Sequence, residues 1–165
     1  IIGTRAGYRW TIRNNTIRHG KTVGLDIGDE GGDNEGNQPA PKVLGNHSIL
    51  HNVISDNGGS GIQGSFCTGG GEEFRVHGGV IAYNRIERNN YLQCGGYESA
   101  GLKTHGFSGL VEGNLIHNNS ANSGVWFDSM WHDVRFTRVA DDALCLQGLL
   151  EHAHRQWRAG VVASW

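Results

Sequence analysis

Gly101-Leu102-Lys103-Thr104-His105 returns in similar form as Gly124-Val125-Trp126-Phe127-Asp128, and then as Gly148-Leu149-Leu150-Glu151. His105, Asp128 and Glu151 close the three runs at equal intervals (128 − 105 = 151 − 128 = 23). Each of the first two runs alternates inward-type and outward-type residues, as a short strand with one buried face does. A strand this short cannot bury its apolar side alone and needs similar strands above and below it. The repeated interval then reads as one coil of a stack of strands spaced ~4.8 Å apart. Residues one interval apart become neighbours in a column on its surface.

Gly24-Leu25-Asp26-Ile27-Gly28 and Gly61-Ile62-Gln63-Gly64-Ser65 repeat the glycine-led unit earlier in the chain. An Asn-x-Ile unit alternates with it: Asn15-Thr16-Ile17, Asn52-Val53-Ile54, Asn84-Arg85-Ile86 and Asn114-Leu115-Ile116. Turn sequences separate the units, among them Asp56-Asn57-Gly58-Gly59 and His117-Asn118-Asn119-Ser120. Asn suits such turns because it tolerates left-handed dihedrals and bonds to nearby backbone. Amphipathic helical stretches are scarce, which argues against an ordinary α/β sheet. The pattern resembles the right-handed parallel β-helix (pectate-lyase-like) superfamily. The expected fold is therefore all-β: a single solenoid domain over 1–165, with about six coils visible.

The early steps between glycine-led units are longer (61 − 24 = 37 and 101 − 61 = 40). The excess falls in polar, Gly-rich insertions near 29–40 and 66–78, with further residues near Tyr91 to Ser99. Loops of this length leave the stack and are expected to wall a surface cleft.

The bulk numbers fit this reading. Glycine supplies 27 of 165 residues, about twice the usual ~7%. The charges, 14 basic against 16 acidic residues, form no like-charged block, so neither nucleic acid nor a membrane surface is expected as main partner. No apolar run approaches the ~18 residues of a spanning helix. Cys67, Cys94 and Cys145 lack zinc-type spacing and read as free thiols. The chain opens on Ile1 and closes on Val161-Val162-Ala163-Ser164-Trp165. It reads as a piece of a longer protein, incomplete at both ends, and gives no indication of compartment or oligomeric state.

Alternation assigns the outward side chains. Leu102, Thr104, Val125 and Phe127 point in, so Lys103, His105, Trp126 and Asp128 point out. Stacking gives one outer column of Gly28, Ser65, His105, Asp128 and Glu151, and another of Asp26, Gln63, Lys103, Trp126 and Leu149. Two carboxylates one coil apart stand ~4.8 Å apart at the backbone. Retaining glycosidases hold their carboxyl pair at ~5–5.5 Å, and inverting ones at ~6.5–9.5 Å. The spacing thus favours retention, with the mutual repulsion of the pair raising one pKa for the acid/base role. Trp126 offers a sugar-stacking surface, and His105 a hydrogen bond to the nucleophile or to a hydroxyl. The plainer reading is that outward Asp and Glu simply solvate a β-helix face.

Gly124-Val125-Trp126-Phe127-Asp128, followed by Leu149-Leu150-Glu151-His152-Ala153-His154, resembles the catalytic region of family 120 glycosidases, the β-xylosidases. That likeness implies Asp128 as nucleophile and Glu151 as acid/base. The stretch from Glu98 to His105 resembles the strand before the nucleophile strand. The resemblance implies Trp126, His105, Lys103, Glu98 and His152 as substrate-binding residues. The chain departs from the pattern where Ser129-Met130-Trp131 follow Asp128. It departs again at residues 135–142, which lack the Gly-Asn or Arg-Asn turn of earlier coils. The expectation is a retaining, exo-acting hydrolase of xylose-type or related plant glycans, which needs no cofactor.

Two other readings stand beside it. A β-helix polysaccharide lyase would use Lys103 or His105 as base, with calcium held by Asp29, Glu30, Asp33 and Glu35. Those residues do not match an EF-hand loop and read more simply as a solvated acidic loop. A non-catalytic glycan-binding module would need Trp126 and the cleft but not both carboxylates.

Overall fold

A computed structural model describes residues 2–3, 9–27, 46–64, 79–93, 99–105, 107, 109–120, 123–128, 134–137, 140–141 and 144–146. These residues form three parallel sheets and no helix. The first sheet contains, in spatial order, β1 (Ile2–Gly3), β4 (Leu25–Asp26), β7 (Ile62–Gly64), β10 (Leu102–His105), β13 (Val125–Asp128) and β16 (Leu144–Leu146). The second contains β2 (Thr11–Arg13), β5 (Ser48–Leu50), β8 (Gly79–Ala82), β11 (Gly109–Glu112) and β14 (Val134–Thr137). The third contains β3 (Thr16–Arg18), β6 (Val53–Ser55), β9 (Arg85–Glu87), β12 (Leu115–His117) and β15 (Ala140–Asp141). Every third strand returns to the same sheet beside its predecessor, an arrangement consistent with a parallel β-helix.

The reason is visible in the core. Leu25, Ile62, Leu102 and Val125 are aligned in the first sheet, and each is fully buried. Ile12, Ile49, Ile81 and Val111 are aligned and buried in the second sheet, and Ile17, Ile54, Ile86 and Ile116 in the third. One branched aliphatic side chain per strand per layer fills the interior. Burying each contributes roughly 1.5–3 kcal/mol. Near β13 the aliphatic filling turns aromatic: Phe127 stacks on Phe107 at 6.0 Å and meets Phe136 edge-on at 6.1 Å.

Between the second and third sheets the chain turns through a left-handed residue in each layer: Asn14, His51, Tyr83 and Gly113, with φ of 57°, 54°, 57° and 61°. The next residue is always an Asn, and these form a ladder. The Asn52 backbone N–H and Nδ2 both donate to Asn84 Oδ1 at 2.9 and 3.0 Å. The Asn84 pair donates likewise to Asn114 Oδ1, both at 2.9 Å. Each Nδ2 also reaches the carbonyl of the preceding layer's core isoleucine, as Asn84 does to Ile49 at 2.9 Å. A second ladder of Asn57, Asn89 and Asn119 lines the next corner, preceded there by left-handed Asp56, Arg88 and Asn118. Sequence reading places asparagine in the turns for its left-handed tolerance. In the Asn-x-Ile units the left-handed position belongs to the residue before the Asn, and the Asn itself is the connector, buried at Asn52, Asn84 and Asn114.

The glycine-led steps match the register of the first sheet. Leu25 pairs with Ile62, Ile62 with Leu102, and Leu102 with Val125 (62 − 25 = 37, 102 − 62 = 40, 125 − 102 = 23). The extra residues lie between β4 and β5, between β7 and β8 and between β9 and β10. The insertions at 29–40 and 66–78, including Asp29, Glu30, Asp33, Glu35 and Cys67, lie outside the described residues, as does Cys94. The final step is shorter, because Val125 lies opposite Leu144 (144 − 125 = 19). From the start of β12 to the start of β13 the chain advances by ten (125 − 115), but from β15 to β16 only by four (144 − 140).

Two ionisable groups respond to this packing. His47 is buried, and its Nδ1 accepts the Trp10 backbone N–H at 3.2 Å. Burial lowers its pKa, opposed by a hydrogen bond to the Ile27 backbone. Because the folded state disfavours the charged ring, the unfolded chain takes up protons first as pH falls. The stabilisation from neutral His47 is therefore complete above its ordinary value of ~6.5 and is lost as pH drops from there toward the lower folded value. The thermal midpoint is expected to fall over this window, and to fall less in His47→Gln. Asp56 behaves differently: hydrogen bonds from Arg88 at 2.8 and 2.9 Å hold its pKa at about 2. Its contribution persists until far more acidic conditions.

Candidate functional site

Four side chains of the first sheet follow one another on successive strands: Asp26, Gln63, Lys103 and Trp126. Each alternates with a core residue and so belongs to the face opposite the aliphatic ladder. Alternation alone predicts that Lys103 stands out into solvent. Instead it is fully buried, at 0% exposure, with Nζ 3.6 Å from the centroid of the Trp126 ring. An ammonium over an indole face gains ~2 kcal/mol or more when desolvated. This stabilises a charge that would otherwise be costly to bury. One face of the ring is thereby taken up by Lys103 and is not open to a sugar.

Trp126 is half-buried, and its Nε1–H, itself shielded from solvent, has no hydrogen-bond partner among the described residues. The neighbouring inward Thr104 is fully buried, and its hydroxyl likewise has no partner among the described residues. A buried indole donor without an acceptor costs roughly 1–3 kcal/mol. The group is set to bond any acceptor that reaches it.

Two positions further along the same strands, His105 lies directly opposite Asp128. The step expected from the sequence therefore holds between these two residues. It does not hold beyond them. The residue opposite Trp126 on the following strand is Cys145, not Leu149, and Leu146 lies opposite Phe127. The physical reason is the shortened β15–β16 connection. Its sequence, Asp142-Ala143, supplies no asparagine to match Asn119, and the chain re-enters the first sheet early. A place for Glu151 beside Asp128 requires the earlier interval (151 − 128 = 23), whereas the register here advances by less (144 − 125 = 19). Glu151, Glu98 and His152 all lie outside the described residues.

The structure thus brings together Lys103 with Trp126, and His105 with Asp128, along one pair of strands. Asp26 and Gln63 stand in this row as the sequence column has them, and Cys145, which sequence reasoning missed, continues it in the place given to Leu149. The signal was present for the first two, each standing two places after its unit's glycine. Among the described residues no group of three or more His, Cys, Asp or Glu side chains gathers to hold a metal ion. Comparison with protein-family models, curated proteins and solved structures finds no match.

Proposed function

We propose that the chain is a carbohydrate-active right-handed parallel β-helix of about six coils, working as a retaining glycoside hydrolase on xylose-type or related plant-derived glycans. The observation that carries this reading is the alignment of His105 with Asp128, two positions beyond the Lys103–Trp126 pair. It aligns these two positions in register, two places along the same pair of strands from the ammonium and the indole donor. The likeness of the Gly124 to Asp128 run to β-xylosidases supplies the reaction class.

In this scheme the Asp128 carboxylate attacks the anomeric carbon and displaces the leaving group, which takes a proton from Glu151. The ester formed is then hydrolysed by a water that gives its proton to the Glu151 carboxylate, so the starting configuration is restored. His105 hydrogen-bonds the nucleophile or a ring hydroxyl, and Trp126 Nε1 offers a donor to a sugar oxygen. Glu98 and His152 complete the substrate contacts, and no cofactor enters. Glu151 follows Leu146 by five positions, a chain reach of at most ~17 Å. The segment after β16, rather than strand register, has to deliver it.

The test is hydrolysis of aryl β-xylosides and related aryl glycosides, with the product anomer read by NMR, for the wild type, Asp128→Asn and Glu151→Gln. The β-anomer is expected first. Asp128→Asn should abolish turnover, and Glu151→Gln should spare substrates with good leaving groups. Unchanged hydrolysis in both variants, or an inverted first product, would overturn the assignment. Unsaturated products from uronate polymers would replace it with a lyase, and glycan binding without turnover with a binding module.

A further inference from the structure

Among the described residues the buried charges are Glu87 and Lys103, and they are held differently. Glu87, 3% exposed, has Arg85, Arg88 and His117 around its carboxylate. Lys103, 0% exposed, rests its ammonium on an indole face, 3.6 Å from the centroid of the Trp126 ring. On that neighbouring strand the Trp126 N–H is shielded and has no partner among the described residues. Stability alone asks for neither feature. A methionine would fill the space of Lys103 with no charge to desolvate, and such replacements of buried charges are often neutral or stabilising. A phenylalanine in place of Trp126 would leave no orphan donor. Departures from what stability favours gather where a fold carries function.

The two side chains differ in reach. A side chain with no exposed surface does not meet a ligand arriving from solvent, so Lys103 is out of contact. Trp126 is only half-buried and can make that contact. Register sets Lys103 directly opposite Trp126, and His105 and Asp128 follow two positions along the same strands. An indole side chain turns about two torsions, and an ammonium held against its face restrains both. A contact group restrained in advance spares the ordering cost that binding otherwise incurs. We infer that Lys103 is a positioning residue of this row. Rather than touching the sugar, as the likeness to β-xylosidases implies, it holds the Trp126 ring that does. The inference rests on the carbohydrate-active reading above and adds to it that the ring is fixed before the substrate arrives.

The experiment compares the full chain with Lys103→Met, which keeps the length but not the charge, and with Lys103→Arg, which keeps a cation for the ring. Nuclear magnetic resonance of isotope-labelled protein reads the indole N–H signals, and Trp126→Phe identifies the one that belongs to Trp126. KM and kcat are measured on an aryl β-xyloside. In substrate-free Lys103→Met the Trp126 signal should move and broaden as the ring gains freedom. KM should rise about 10-fold with kcat within about 2-fold of the wild type, while the thermal midpoint does not fall. Lys103→Arg should recover most of the KM. A lysine that only fills space gives an unchanged KM in Lys103→Met, which would overturn the inference. A Trp126 signal as sharp in Lys103→Met as in the wild type would do the same, as would a loss confined to kcat, which places Lys103 in the chemistry. If the wild type leaves the glycoside intact, the hydrolase reading fails by itself, and the Trp126 signal still decides whether Lys103 holds the ring.

Discussion

Asn84→Ala is expected to destabilise the fold by about 3–5 kcal/mol, read as a large drop in the urea midpoint. Asn84 is 1% exposed and sits in the middle of its ladder. Its Oδ1 accepts the Asn52 N–H at 2.9 Å and Nδ2 at 3.0 Å, while its own Nδ2 serves the Ile49 carbonyl and Asn114 Oδ1, both at 2.9 Å. Truncation leaves the Asn52 N–H and the Ile49 carbonyl without these partners in a dry corner. Each such orphan costs roughly 1–3 kcal/mol, and the missing amide leaves a void besides. Asn15→Ala is the control, because Asn15 is exposed at the ladder's end and receives no amide from a preceding layer among the described residues. Water replaces much of what that substitution removes, so its effect should stay under ~1 kcal/mol. Equal losses at the two positions would show that the ladder does not act as a buried network.

Gly101→Ala is expected to cost about 3 kcal/mol. A Cβ at this position would stand 2.7 Å from the Gly124 carbonyl oxygen, from Asn119 Nδ2 and from Ile116 Cγ2. None of the three can retreat cheaply. The carbonyl belongs to backbone that accepts the Leu102 N–H at 2.9 Å, Asn119 is held in the second ladder, and Ile116 is core. The strain falls on the start of β13, so Trp126 and Asp128 should shift with it. Gly79→Ala makes the contrast. Its nearest neighbour would be the edge of the Phe107 ring at 3.2 Å, a side chain that can tilt, and the cost should be nearer ~1 kcal/mol. A Gly101→Ala midpoint equal to that of Gly79→Ala would refute the crowding argument.

The sequence revealed much of the fold because two of the three sheets carry a local marker. A leading glycine announces β4, β7, β10 and β13, since backbone from the next layer passes too close for a Cβ, as at Gly101. The Asn of each Asn-x-Ile unit announces β3, β6, β9 and β12, since the ladder needs an amide there. The second sheet carries no such marker. Thr11-Ile12-Arg13 and Ser48-Ile49-Leu50 contribute one core side chain per strand, and a single isoleucine between ordinary residues does not stand out. Interval counting failed where the markers stop. Residues 135–142 lack the Asn-bearing turn, and without it the last step of the first sheet is shortened and the register argument for Glu151 is lost. The burial of Lys103 was not legible either. Alternation gives the direction of a side chain, not what lies over it.

The asparagine ladders also have an arrow. In both, each amide donates to the oxygen of the layer that follows in sequence, never the reverse. Sliding a copy along the axis preserves this pattern, and turning the copy over destroys it. The two ends of the stack are therefore chemically distinct, a head that offers an acceptor oxygen at Asn15 and a tail where the amide column has run out. Any further layer that joins at the head has to run parallel to the existing ones and bring a donor with it.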